Sequence, residues 1–169
     1  AHDLPDGCLI RIEAFGQPLT EDTLQRPDFT RMFRQRVGMM FQHSEVQLFC
    51  ATVEEELAYG LRLQGLDEKM IAPRVARTAA RFRLPGLLAP PALLSYGARK
   101  RLQAAVYHLL GKRIVIFDEG DSGLGAAEFT RLLGLFRSAV RGLLVITHDL
   151  ELASRVADAT VRLQEGRLA

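Results

Sequence analysis

Apolar residues in this chain fall into short unbroken runs that alternate with stretches of helical period. CLIRIEAF (8–15) predicts a strand closed by the turn GQPL, and RQRVGMMF leads into a second strand ending near Phe41. Thr52 followed by Glu55 three positions on predicts a capping box, with Glu54 also favouring the positive end of the helix dipole. A helical pattern over roughly 67–83 contains Pro73, which predicts a break or restart. LPGLLAPPALL is a proline-rich connection; Ser95 then caps a long helix through about Leu110, where Gly111 supplies the stop. IVIF (114–117) and LLVIT (143–147) are continuous apolar runs of strand length. Amphipathic helices are expected from about Ala126 to Val140 and from Asp149 to Ala157, with a closing hairpin in TVRLQEGRLA. Buried strands alternating with helices predict an α/β fold, a parallel sheet covered on both faces.

Composition narrows this picture only a little. A chain of 169 residues with 48% hydrophobic and 25% charged positions suits one globular domain with a full core. A net charge of +2 gives no basis for a nucleic-acid partner, and RMFRQR and ARKR read as solvated helix faces. Cys8 and Cys50 lack metal or redox spacing and fit a reducing compartment. No apolar run reaches the roughly 18 residues of a membrane span, and no secretory leader is visible.

Candidate chemistry sits where the strands end. In open parallel sheets, ligands bind outside the carboxyl ends of the strands. Phe41, Phe117 and Thr147 each end a predicted strand, and Gln42, the Asp118-Glu119 pair and His148 border those ends. One rim would therefore carry an amide, two carboxylates and an imidazole. Singly, each has a plain explanation: a loop amide, surface charges, a strand-end histidine, and for Ser95 a helix cap. Their joint placement favours a site.

These residues also resemble a family. VGMMFQ resembles the glutamine loop of ATP-binding cassette (ABC) ATPases, and LLSYGARKR resembles their signature motif. IVIFDE resembles Walker B with its catalytic glutamate, DSGLG the D-loop, and LLVITHD the histidine switch. Order and spacing agree over about three-quarters of the chain. FQHSEVQLFCATVEEELAYG is similar to the ATPases of energy-coupling-factor and cobalt-type importers. The resemblance implies a single ATPase domain over 1–169, a P-loop NTPase-like sheet flanked by helices with a helical subdomain at about 52–110.

It also implies ATP and Mg²⁺ as ligands. Asp118 would contact the metal, Glu119 would act as general base on the attacking water, and His148 would hold the γ-phosphate and water in line. Gln42 would sense metal and water. Ser95 and Gly97 would present a helix N-terminus to the γ-phosphate held by a second ABC ATPase subunit. Tyr96, in place of the commoner glycine, is expected to matter little. An integral membrane transporter subunit is the other implied partner, with the chain at the cytoplasmic face of the membrane and no nucleic acid.

One part of the pattern is missing. The chain contains no GxxxxGK[ST]: its only Gly-Lys pair, Gly111-Lys112, has Val106 five positions earlier and follows a helix rather than a strand. The nest of backbone N–H groups, the phosphate-reaching lysine and the adenine-stacking aromatic are therefore absent from the sequence. The expectation is a chain incomplete at its N-terminus, or a decayed or split subunit, and not competent in hydrolysis alone; the alternatives are a non-catalytic subunit whose Ser95 helix completes a partner's ATP site, or an ABC ATPase working outside transport. LLVIT would then form an unpaired apolar edge, whereas RLQEGRLA matches the close of the ATPase core. Gly120 stands where proline is usual, and Gly125 replaces the usual D-loop aspartate.

Overall fold

The structure, a computed structural model, describes residues 12–42 and 47–164 and the backbone of 167–168. The chain divides between Gln35 and Arg36 into two compact units.

In the first unit, Glu13–Ala14 (β1) and Gln17–Pro18 (β2) pair antiparallel around Phe15 and Gly16. Both turn residues have positive φ, 55° and 76°, the twist a two-residue hairpin loop favours. The strand predicted for 8–15 therefore ends at Ala14, and Gln17–Pro18 pair as a strand instead of forming the turn. Residues 8–11 lie outside the described residues. Two helices follow, Glu21–Gln25 (α1), which the periodicity did not predict, and Pro27–Arg36 (α2), which contains the RMFRQR run read as a helix face. Thr20 and Thr23 cap α1 reciprocally, a box without the Glu or Gln that normally advertises one. Pro27 opens α2 at the position where its missing N–H costs nothing.

The second unit is built on a three-stranded parallel sheet, Val37–Met40 (β3), Ile114–Asp118 (β4) and Gly142–Ile146 (β5), in that spatial order. Met40 aligns with Phe117, and Phe117 with Val145. One face is dry: Met40, Val115 and Phe117 are fully buried. The other face is less covered, with Leu144 53% and Ile146 46% exposed on β5. The parallel sheet with its flanking helices is as expected; β5 is an edge strand among the described residues, where alternate residues face the core. Helix Ala126–Arg137 (α6) packs Phe129, Leu132 and Phe136 into the dry side, where Phe117 meets Phe129 and Phe136 edge-on at centroid distances of 5.6 Å.

Three helices complete the unit: Val53–Leu63 (α3), Glu68–Arg81 (α4) and Tyr96–Leu109 (α5). Their buried stripe includes Leu57, Leu61, Ile71, Val75, Phe82 and Leu102. The capping box at Thr52 is present, with Thr52 Oγ1 accepting from Glu55 N and Glu55 Oε2 accepting from Thr52 N, both at 3.2 Å. The first N–H groups of α3 donate to Ala89 O and Leu87 O, so the proline-rich connection also closes the start of a helix. Pro73 does not break α4, which runs unbroken through it. Only the hydrogen bond to Lys69 O is forfeited, and Lys69 and Pro73 are both exposed, so water can replace it. Ser95 caps α5, and Gly111 ends it at φ 64°. Helix Leu150–Val156 (α7), capped by Asp149, and the antiparallel pair Leu163–Gln164 (β6) and Arg167–Leu168 (β7) close the chain much as predicted.

Two titratable groups are tuned by this packing. Burial first, then the Glu56 carboxylate, pushes the Cys50 thiol up to about 11, which keeps it protonated and inert at neutral pH. His108 lies 5.3 Å from the Phe82 ring and edge-on to Phe136. Burial, then the positive charge of Arg81, holds its pKa below 6.5. An imidazole with a depressed folded-state pKa binds its proton more readily in the unfolded chain, so stability is complete above about pH 6.5 and declines as pH falls below it. Urea midpoints measured from pH 7.5 to 5 are expected to fall by less in His108→Phe than in the parent; equal slopes would remove His108 from this account.

Candidate functional site

The parallel register fixes the rim. Strand β3 ends at Met40, β4 at Asp118 and β5 at Ile146, each within one residue of the predicted ends, and Asp118 aligns with Ile146. Gln42, Glu119 and Thr147 thus follow three adjacent strands at one level, with His148 one residue beyond. Neighbouring strands lie about 4.8 Å apart, so the whole row spans roughly 10 Å, the width of a triphosphate with its metal.

Within that row, Gln42 Nε2 donates to Glu119 Oε2 at 2.6 Å, joining residues 77 positions apart in the chain. The contact uses the amide N–H and leaves Gln42 Oε1 and Glu119 Oε1 for other partners. Glu119 has φ 47°, a left-handed conformation that costs a residue with a Cβ about 1–2 kcal/mol. Backbone bonds hold it there: Glu119 N donates to Ile146 O at 3.0 Å, and Ser122 N donates to Glu119 O at 3.1 Å. Strain at this position swings the carboxylate out of the strand direction and over the rim.

Gly120 allows that turn. A Cβ there would meet Phe117 Cδ1 at 2.8 Å and Cβ at 2.9 Å, so the backbone lies directly on the buried ring. The departure from proline at this position has a packing reason. Asp118 is half-buried and His148 exposed, and among the described residues neither side chain makes a hydrogen bond. Both are available to a ligand. Asp149 caps α7 through Leu152 N, as one plain reading of it expected.

Ser95 and Gly97 stand at the opening of α5. Ser95 is exposed, and its Oγ accepts from Ala98 N at 3.3 Å, so it is a helix cap. A Cβ on Gly97 would come within 3.1 Å of Leu124, which presses the D-loop against this turn. Neither residue is hydrogen-bonded to Gln42, Asp118, Glu119 or His148 among the described contacts.

Tyr96, expected to matter little, makes two close contacts. Its hydroxyl donates to Gln42 O at 2.6 Å, and its ring covers Gly123 so closely that a Cβ there would lie 2.2 Å from Cδ1. Three further residues were missed. Lys100, fully buried, donates from Nζ to Glu119 O at 3.0 Å. Thr147 Oγ1 donates to Asp121 Oδ2 at 3.0 Å, tying the D-loop to the end of β5, while Asp121 Oδ1 is buried without a partner. The i, i+4 spacing of Tyr96 and Lys100 on α5 was the one available signal, and of these three it bears on Lys100 alone.

The donor set suits Mg²⁺. Among the described residues no group of three acidic, His or Cys ligands exists, and Mg²⁺ needs none. It typically takes one or two protein oxygens and fills the remaining positions with water and phosphate. Asp118 would supply the carboxylate and Gln42 Oε1 a neutral oxygen.

No family-wide profile matches the chain. Individual proteins do. The nickel import ATP-binding protein NikO of Rhodobacter capsulatus is 38% identical over 166 residues, which is 94% of this chain and 65% of that protein. The energy-coupling factor transporter ATP-binding protein EcfA of Carboxydothermus hydrogenoformans is 32% identical over 162 residues, 94% of this chain and 58% of that one. Among solved structures, cbiO1 of Clostridium perfringens, described as part of the ABC transporter complex cbiONQ, superimposes with a TM-score of 0.80 at 26% identity. That match covers 94% of this chain and 64% of the solved one. The chain thus spans between half and two thirds of the length of these relatives.

Proposed function

Since the chain is a homologue of the ABC-type ATP-binding proteins of nickel and energy-coupling-factor import and shares their fold, we propose that it is the nucleotide-handling part of such an importer. The observation that carries this reading is the 2.6 Å contact between Gln42 and Glu119 across the ends of adjacent strands, beside an unengaged Asp118 and His148.

Glu119 is the general base. Gln42 holds one carboxylate oxygen, and the other accepts a hydrogen bond from water and takes its proton as the water attacks the terminal phosphorus and the bond to the bridging oxygen breaks, releasing ADP and phosphate. Asp118 and Gln42 would hold Mg²⁺, which would supply positive charge against the charge that builds on the phosphate. His148, at the end of the next strand, donates to a phosphoryl oxygen and keeps the water in line. Asp118 binds the metal side of the same group.

The exposed N-terminus of α5 completes the nucleotide site of a second ATPase subunit. Its first-turn N–H groups and dipole favour an anion, and Ser95 lies open at that end. Mixing Ser95→Arg chain with an ATPase partner that carries an intact GxxxxGK[ST] loop is expected to lower the partner's turnover at least tenfold relative to parent chain. An unchanged rate would count against this role.

A membrane partner fits elsewhere on the unit. An apolar cleft of about 230 Å³ lies between α3 and α5, lined by Leu48, Phe49, Tyr59, Leu63 and Val106. Phe49 is 67% exposed and meets Tyr59 edge-on at 5.0 Å, a rigid aromatic pair of the kind that anchors interfaces. No described helix is long and apolar enough to cross a membrane. This reading places the chain at the cytoplasmic face of a membrane.

A further inference from the structure

Tyr96 and Lys100 lie one helical turn apart on α5 and reach the rim from the helix side. The tyrosine hydroxyl donates to Gln42 O at 2.6 Å, and the lysine ammonium donates to Glu119 O at 3.0 Å. The two are also joined to each other, with Lys100 Nζ 5.3 Å from the centroid of the Tyr96 ring. Gln42 and Glu119 are joined by their own 2.6 Å side-chain bond. Four contacts therefore close a ring: Tyr96 to Gln42, Gln42 to Glu119, Glu119 to Lys100, Lys100 back to Tyr96.

A fully buried ammonium is costly, and lysine is almost never found so placed unless it is paired. Here one of its donors goes to a backbone carbonyl, that of Glu119, whose φ of 47° is left-handed. A packing residue such as Leu or Met would fill the same space without that cost. The chemistry gained is a charged donor on Glu119 O, added to the Ser122 N–H that already binds there. Tyr96 does the equivalent for Gln42: a phenol bond to the backbone fixes the residue whose amide orients Glu119.

We propose that Tyr96 and Lys100 are positioning residues of the hydrolytic centre, which clamp Gln42 and Glu119 into register from the helix that opens with Ser95. The proposal rests on the functional reading above and extends it. The helix that meets a second subunit's nucleotide also grips the base and the glutamine of its own chain. A shift of α5 on engaging the partner's phosphate would thus move Glu119 directly, without passing through the D-loop.

The test has one arm that needs no nucleotide. In the full chain, Lys100→Met removes the donor and keeps the volume. Amide exchange at Glu119 and Ser122 is expected to quicken about tenfold, the loss of a charge-assisted hydrogen bond, while α6 amides keep their protection. Tyr96→Phe keeps the ring over Gly123 and removes only the hydroxyl; the Gln42 side-chain amide is expected to lose exchange protection. If Lys100→Met does not fold, the Tyr96→Phe comparison decides alone.

The second arm uses the chain joined to a GxxxxGK[ST] segment. Each variant is expected to lower kcat by about tenfold with KM for ATP within about twofold, and the double variant to lose no more than the worse single one, as members of one unit do. Unchanged exchange at these sites, or losses that multiply as for independent residues, would overturn the clamp. An inactive parent fusion would instead count against the functional reading and leave the exchange arm to decide this one.

Discussion

Glu119→Gln, in the chain supplied with a GxxxxGK[ST] segment, is expected to lower ATP turnover by about 10²–10⁴-fold while leaving nucleotide affinity within a few-fold. That range is about 3–5 kcal/mol in the barrier. The substitution is nearly isosteric, and the Gln42 amide can rotate to pair again with the new amide, so the 2.6 Å contact and the left-handed backbone need not change. Only the capacity to accept a proton is lost. A parent that turns over ATP while the variant does so at an equal rate would remove Glu119 from the role of base. Binding lost together with turnover would place it among the nucleotide contacts instead.

The second large effect is expected in the core beneath the rim. Phe117 is fully buried, stacked edge-on against Phe129 and Phe136, and its ring is the floor on which Gly120 lies. Phe117→Ala is expected to cost about 3–5 kcal/mol by chemical denaturation, since the aromatic cluster cannot collapse around the space left. Against the 5–15 kcal/mol of an ordinary domain this is a large share. A loss below about 1.5 kcal/mol would mean that the cluster repacks freely and that Gly120 is not held by it.

What the sequence makes legible, and what it hides, follows from the range of each interaction. The cap at Thr52, the end of α5 at Gly111 and the strand IVIF depend on neighbours within a few residues, and all three stand where the pattern places them. Gln42 and Glu119 could be set on one rim because strand ends in a parallel sheet share a side. That they touch is a fact of register that no local pattern contains. Pro73 misled because a propensity for breaking helices was weighed without knowing that its missing bond faced water. Helix α1 was missed because a Thr20–Thr23 box does not look like the usual one.

Lys100 was hidden for a different reason. On a helix rich in Arg and Lys, one more basic residue reads as solvent-facing, and only burial separates it from Arg99 and Arg101. Tyr96 was discounted because it was compared with the glycine it replaces, and not asked what a phenol at that position could reach. Both omissions concern contacts across more than fifteen residues of sequence. Such pairs become visible only once the helix is docked on the sheet.

The account stands on one nucleotide being shared by the ends of three neighbouring strands. Its most direct test is paramagnetic relaxation by Mn²⁺·ATP in the chain joined to a GxxxxGK[ST] segment, read at the Gln42 side-chain amide, the Glu119 backbone amide and the His148 ring. The account predicts strong broadening of all three at one nucleotide equivalent, and weaker broadening at His108, which lies beyond Phe136 from the rim. Broadening of Gln42 without His148, or of neither while ATP is bound, would contradict it.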